Sequence, residues 1–184
     1  MFDYKKHFER YCEDHDLRLN LSFDMPEGFE TANGTFDLET KTVFINACLL
    51  EEAPEYEQAF FLFHELRHAS QYLTPERFRE TVTRSVRYVI QYDGTCYKLV
   101  DGTYRECRLA DGGTPFAELY QSQPHEIDAN RFAYQQVKTL YGDSAGLSRL
   151  YAFWTPRQPV PAAVYDSVFA EIDEKTRSGY GEAE

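Results

Sequence analysis

The stretch Phe60-Phe61-Leu62-Phe63-His64-Glu65-Leu66-Arg67-His68 lies within a segment that has the pattern of a long helix. Residues 56–72 contain neither Gly nor Pro, and their apolar side chains cover a broad helical face. Pro54 precedes the segment and suits the first turn of a helix, where a missing N–H costs no hydrogen bond. We therefore expect the central helix of the fold here, with two histidines and a glutamate set among apolar residues.

The residues on either side of this helix are typical of short strands and further helices. Before it, the sequence predicts a helix at 2–16, a half-buried strand at Leu17–Phe23, and a hairpin formed by Ala32–Leu38 and Thr40–Asn46. After it, a short helix is predicted at 74–83. Three β-rich runs follow, separated by Asp-Gly pairs, which are a strong hairpin signal. These runs are Val86–Tyr92, Thr95–Val100 and Thr103–Leu109.

The remainder of the chain is mainly helical in pattern. Helices are predicted at 124–141, 144–153 and 162–177, a loop at 110–115, and a frayed end at 178–184. The predicted fold class is α+β, with a small, mainly antiparallel sheet packed on the central helix, a β-meander after it and then C-terminal helices. We expect one domain, residues 1–184, in which the meander at about 86–109 is an insertion.

The charge of the chain narrows its partners. There are 19 Lys and Arg against 31 Asp and Glu, a formal net charge of −12, with no visible basic cluster, so direct nucleic-acid binding is not expected. No apolar run reaches the roughly 20 residues of a membrane helix, and Met1–Lys6 lacks the apolar region of a secretory signal. We therefore predict a cytoplasmic protein that has no membrane partner and whose four cysteines are reduced.

The sequence His64-Glu65-Leu66-Arg67-His68 has the spacing of a metal site, H-E-x-x-H. Residues four apart on a helix lie on one face, so both imidazoles can reach the same ion. Glu65 lies beside that face, where its carboxylate can take a proton from a metal-bound water. The motif predicts Zn²⁺ bound by His64 and His68, with Glu65 as the catalytic base.

A catalytic zinc site usually takes a third protein ligand, and a second polar cluster on a predicted helix offers candidates. Glu126 and Asn130 are four residues apart, so Glu126 could bind the metal while Asn130 braces a histidine ligand from behind. Asp128 lies about 200° around the helix from Glu126, so both cannot serve. His125 is also chemically able. The pattern of residues alone leaves these three alternatives open.

The two motifs together resemble those of the ImmA/IrrE family of zinc metallopeptidases, which are of the gluzincin type. Here the motifs read H-E-L-R-H and, from Glu126, E-I-D-A-N-R-F-A. The resemblance implies that Glu126 is the third ligand, that Asn130 occupies the bracing position, and that Thr42–Asn46 is the sheet edge beside the cleft. The spacer between the motifs is longer than is usual in this family, and the usual Leu-Leu-Met-Pro-like ending is absent.

The expected activity is hydrolysis of a peptide bond by a zinc-bound water that Glu65 activates, in a protein or peptide substrate that the resemblance implies is a regulator. Tyr120 is a possible donor to the oxyanion, and Tyr72 is a rival for that role. The alternative is a zinc-binding domain without peptidase activity that acts as a protein-interaction module. Two further hypotheses are a zinc hydrolase that acts on a non-peptide amide and a metal-free scaffold protein.

Overall fold

The computed structural model describes residues 2–178, and the frayed end predicted at 178–184 lies outside this range except for Ser178, which ends the last helix. The helices are α1 (Tyr4–His15), α2 (Glu55–Leu73), α3 (Glu80–Ser85), α4 (Phe116–Gln121), α5 (Pro124–Tyr141), α6 (Ala145–Trp154) and α7 (Ala162–Ser178). The strands are β1 (Asn20–Ser22), β2 (Gly34–Asp37), β3 (Thr42–Ile45), β4 (Tyr88–Ile90), β5 (Thr95–Val100) and β6 (Thr103–Arg108). These elements form two three-stranded, mostly antiparallel sheets, which confirms the α+β class.

The described chain divides into two compact units. The first contains the residues up to Phe78 together with Asp128–Trp154, and the second contains Arg79–Ile127 together with the residues from Thr155 onward. Of the helices described, none combines the length and the apolar composition needed to cross a membrane.

The first unit is built on α2 and a small sheet of order β1-β3-β2. Strand β3 is central in this sheet, because it pairs in parallel with β1 and antiparallel with β2. The prediction that Thr42–Asn46 is the sheet edge is therefore wrong. The hairpin pattern predicts the β2–β3 pair. No local pattern predicts that β3 also pairs with β1, because β1 and β3 are not adjacent in the sequence.

The core of the first unit explains why α2 is apolar on a broad face. The side chains of Phe60, Leu62 and Leu66 are fully buried, as are Val43 and Ile45 of β3. Burial of a large apolar side chain contributes about 1.5–3 kcal/mol, so these residues fix how α2 lies against the sheet. The histidines and the glutamate of the motif thus belong to a helix that the core holds in place.

The segment after α2 differs from the single short helix predicted at 74–83. It forms a 3-10 turn at Pro75–Arg77, then two extended residues, Phe78 and Arg79, and then α3. Phe78 is extended with its ring 4.4 Å from the guanidinium carbon of Arg67 on α2, a cation–π contact. The local sequence is compatible with one continuous short helix, but the chain is extended where Phe78 makes this tertiary contact.

The second unit contains the predicted meander, a sheet of order β4-β5-β6. The β5–β6 turn has Asp101 at φ 50° and Gly102 at φ 80°, the left-handed conformations that a two-residue hairpin loop requires. Helix α4, by contrast, was not predicted from the sequence. It has six residues, and its Leu119 is buried, with the carbonyl of Leu119 accepting a hydrogen bond from the Tyr165 hydroxyl of α7 at 2.6 Å.

Candidate metal centre

Helix α2 places the two motif histidines one turn apart, with their Nε2 atoms close together. The Nε2 atoms of His64 and His68 are 2.9 Å apart, and the ring planes are at 86°. This arrangement follows from the i, i+4 spacing on a regular helix. Two imidazole nitrogens that face one point are the first requirement of a shared metal site.

Glu126, in the first turn of α5, completes a group of three possible ligands. His64, His68 and Glu126 each offer one ligand atom, and these atoms lie within 4.8 Å of one another. The carboxylate of Glu126 and the ring of His68 are both largely buried. These three residues could hold a metal ion, and two imidazoles with a carboxylate form a donor set that fits zinc.

Asp128, two residues further along α5, is engaged elsewhere. Its Oδ2 accepts hydrogen bonds from Arg67 Nε at 2.7 Å and from Gln71 Nε2 at 3.1 Å, and its Oδ1 accepts one from Arg131 at 3.2 Å. Burial raises the pKa of Asp128, but the hydrogen bonds and charge of Arg67 outweigh that effect, with help from Gln71 and Arg131, and hold the pKa below its ordinary value. This carboxylate is thus a partner of arginine, and it ties α5 to α2.

Arg67 is held by aromatic rings as well as by Asp128. Its guanidinium carbon lies 4.4 Å from the centre of the Phe78 ring and 4.6 Å from that of Phe132. Both contacts are of cation–π type. The two rings therefore restrict the position of the Arg67 side chain. Because Arg67 is held in this way, its hydrogen bond also holds the Asp128 carboxylate in place.

The ring of His68 is oriented from behind by Gln71, which is fully buried. His68 Nδ1 lies 2.8 Å from Gln71 Oε1. Asn130, which the resemblance places in the bracing position, is buried on α5, and its amide donates to the main-chain oxygen of Trp154 at 3.0 Å. The hydrogen bond described at His68 Nδ1 thus involves Gln71, whose position three residues after His68 on the same helical face was the sequence signal for it.

His125, the other rival for the third-ligand position, is buried between two side chains of its own unit. Its Nδ1 lies 2.7 Å from Ser85 Oγ, and its Nε2 lies 3.5 Å from an oxygen of Glu126. Both ring nitrogens of His125 thus lie beside protein groups, Nδ1 beside a serine hydroxyl and Nε2 beside a glutamate oxygen. Sequence reasoning missed Ser85, because no local pattern links a serine in α3 with a histidine in α5.

Glu65 is buried beside the histidines, and the main chain of β2 passes close to it. A Cβ atom added to Gly34 would lie 2.8 Å from Glu65 Cγ and 2.9 Å from the carbonyl oxygen of Phe44. Gly34 therefore has a specific reason to be glycine, namely the close approach of β2 to the Glu65 side chain and to the main chain of β3. An isolated glycine at the third position of the strand predicted at Ala32–Leu38 was the available signal.

Tyr92 and Tyr120, both in the second unit, form a stacked pair, and the charge of Glu126 acts on Tyr92. The ring of Tyr120 stacks on that of Tyr92 at 4.1 Å. Burial, followed by the negative charge of Glu126, raises the pKa of Tyr92 to about 12. Tyr92 is thus within electrostatic range of the carboxylate, and sequence reasoning missed it among the many tyrosines of the chain.

Comparison of the chain with protein-family models, with curated proteins and with solved structures gave no match. The membership of the ImmA/IrrE family that the two motifs indicate therefore stays a prediction. The geometry alone supports the statement that His64, His68 and Glu126 could hold a metal ion.

Proposed function

We propose that this protein is a zinc-dependent metallopeptidase that acts in the cytoplasm on a peptide bond of a regulatory protein. The observation that carries the proposal is the meeting of His64, His68 and Glu126, whose ligand atoms lie within 4.8 Å of one another. Three such ligands leave a fourth position for water or substrate, as catalytic zinc sites do. A structural zinc site needs no acid between its histidines, so the buried Glu65 favours an enzyme.

In the proposed hydrolysis, a zinc ion and the Glu65 carboxylate have different roles. A bound zinc ion would polarise the scissile carbonyl and lower the pKa of a water molecule at the site. Glu65 accepts a proton from the attacking water and then delivers it to the departing amine. The side chain of Glu65 suits this task, because burial and the main chain of Gly34 restrict its position.

Strand β2 offers a place for an extended substrate. It pairs with β3 on one side, and within the described residues no strand pairs with its other side. A peptide that added to this edge by main-chain hydrogen bonds would pass Gly34 and so lie beside Glu65. We therefore transfer the proposed substrate edge from β3, which is central, to β2.

The oxyanion that forms during hydrolysis needs a hydrogen-bond donor, and the stacked tyrosines supply two candidates. Tyr92 is close enough to Glu126 for that charge to raise its pKa to about 12, after the larger effect of burial. Its phenol is therefore protonated at neutral pH and can donate. Tyr120 supports the ring of Tyr92 by stacking, or donates itself.

The proposal is tested by exposing zinc-loaded protein to a mixture of unfolded proteins and identifying new chain ends by mass spectrometry. We expect the Glu65→Gln variant to keep its zinc and to lose cleavage by at least about 100-fold, because it lacks a general base. Glu57→Gln, in the first turn of the same helix, is the matched control and should cleave like wild type. Bound zinc with no new chain ends in any sample would contradict the peptidase and favour an interaction module.

A further inference from the structure

A line of hydrogen bonds joins Asp128 to the ring of His68 through the side-chain amide of Gln71. Gln71 Nε2 donates to Asp128 Oδ2 at 3.1 Å, and Gln71 Oε1 lies 2.8 Å from His68 Nδ1. Gln71 has no exposed surface, so bulk water does not reach the amide to replace either partner. A buried amide of this kind is costly unless both of its ends are satisfied.

The direction of the Gln71 amide is fixed by chemistry. Arg67 can only donate hydrogen bonds, and its Nε–H donates to the same Asp128 Oδ2 atom that faces Gln71. A reversed amide would place Gln71 Oε1 against that oxygen, acceptor to acceptor. The amide nitrogen therefore faces Asp128, and Oε1 faces His68.

We propose that Gln71 is a positioning residue that holds His68 in the tautomer protonated on Nδ1. Since Oε1 accepts a hydrogen bond, the ring nitrogen opposite it must carry the proton. The other nitrogen, Nε2, then presents its lone pair to the point where the side chains of His64 and Glu126 meet. This inference deepens the proposed metal site and rests on it, because it states how one ligand is prepared for the ion.

The same logic makes the two histidines unequal before metal binds. The Nε2 atoms of His64 and His68 are 2.9 Å apart, so one donates and the other accepts. If His68 Nε2 carries the lone pair, His64 Nε2 carries the hydrogen. His68 is thus ready to bind, whereas His64 must first move the hydrogen from Nε2.

Long-range ¹H–¹⁵N NMR identifies the histidine tautomers in ¹⁵N-labelled, metal-free protein. The spectra are recorded at a pH well above the ordinary histidine pKa of about 6.5, so that the rings are neutral. Zinc affinity is measured on the same samples by competition with a chelator. The variants are Gln71→Met, which removes both hydrogen bonds, and Gln71→Glu, which keeps an acceptor for His68 and, as the protonated acid, a donor for Asp128 Oδ2. Gln58→Met is the matched control, because Gln58 is a second buried glutamine of α2 and bonds to the main chain of Ala53.

In wild type we expect His68 protonated on Nδ1 and His64 on Nε2. Gln71→Met should lose this preference at His68 and bind zinc about 10–100-fold more weakly, as is usual when a group behind a histidine ligand is removed. Gln71→Glu should restore the tautomer, and Gln58→Met should leave both readouts unchanged although it lowers stability. If Gln71→Met does not fold, the wild-type spectrum and Gln71→Glu still decide.

The inference is overturned if His68 of the metal-free wild type is protonated on Nε2, or if a folded Gln71→Met binds zinc as tightly as Gln58→Met. The tautomer is measured without metal or substrate. A protein that fails to cleave any peptide, but has His68 protonated on Nδ1, would therefore refute the proposed activity and leave the role of Gln71 standing.

Discussion

The close approach of β2 to Glu65 can be tested by adding one methyl group, in the variant Gly34→Ala. The new Cβ would lie 2.8 Å from Glu65 Cγ and 2.9 Å from the Phe44 carbonyl oxygen, whereas ordinary contacts begin at 3.4 Å. The strand or the carboxylate must therefore shift by about 0.5–0.6 Å. Such overpacking costs about 1–3 kcal/mol, partly offset by the 0.4–1 kcal/mol that a glycine-to-alanine change contributes through the unfolded chain. We expect a net loss of about 1–2 kcal/mol in the free energy of unfolding.

The shift should also reduce peptide cleavage while leaving zinc bound. Since a displacement of about 1 Å can cost a factor of 100 in rate, half that distance at Glu65 should cost about tenfold. Urea denaturation, zinc content and the cleavage rate are measured together on purified protein. Gly112→Ala is the control, because nothing lies within 4 Å of its added Cβ. Equal stability and equal activity in the two variants would refute the close approach on which the placement of Glu65 depends.

Other predictions follow from the groups around the centre. Asp128→Asn leaves the charge of Arg67 without a carboxylate, and we expect a loss of about 3 kcal/mol, measured by urea denaturation. Burial raises the pKa of Asp128, but Arg67 outweighs it and holds that pKa below the ordinary value, so the carboxylate stabilises the fold fully above about pH 4. The difference in stability between wild type and Asp128→Asn should therefore shrink as pH falls below 4, and a difference that grew would contradict the pairing. Tyr92→Phe should lower kcat by about 10²–10³-fold if Tyr92 donates to the oxyanion, with KM nearly unchanged. Tyr120→Phe should then have a small effect, and the reverse result would assign the donor to Tyr120.

The elements that sequence predicted well are those with a strong local pattern. Helix α5 begins at Pro124 and ends at Tyr141, as predicted, because its apolar period is uninterrupted and Gly142 adopts the left-handed φ of 80° that ends a helix. The Asp-Gly turn at Asp101 likewise fixed the β5–β6 hairpin. For the candidate metal centre, the i, i+4 spacing of His64 and His68 was enough to place two possible ligands on one helical face.

What sequence could not predict depends on contacts between distant segments. Strands β1 and β3 pair although β2 lies between them in the sequence, and the alternation of side chains does not identify the partner strand. The hydrogen bond from Arg67 engages Asp128 away from the two histidines, and a helical pattern does not reveal that partner of Arg67 on α5. Gln71 was missed because its spacing of three residues from His68 does not show that the same amide also bonds to Asp128, which is far away in the sequence.

The central claim, that His64, His68 and Glu126 hold one metal ion, is tested most directly by the zinc content of purified protein, measured by mass spectrometry after zinc is added back. Wild type should carry about one zinc per chain, whereas His68→Ala and Glu126→Ala should lose it. Glu118→Ala, a glutamate of α4, is the control and should retain it, as should Asp128→Ala if it folds. Zinc that survives in Glu126→Ala but is lost from Asp128→Ala, or wild type that binds none, would contradict the account.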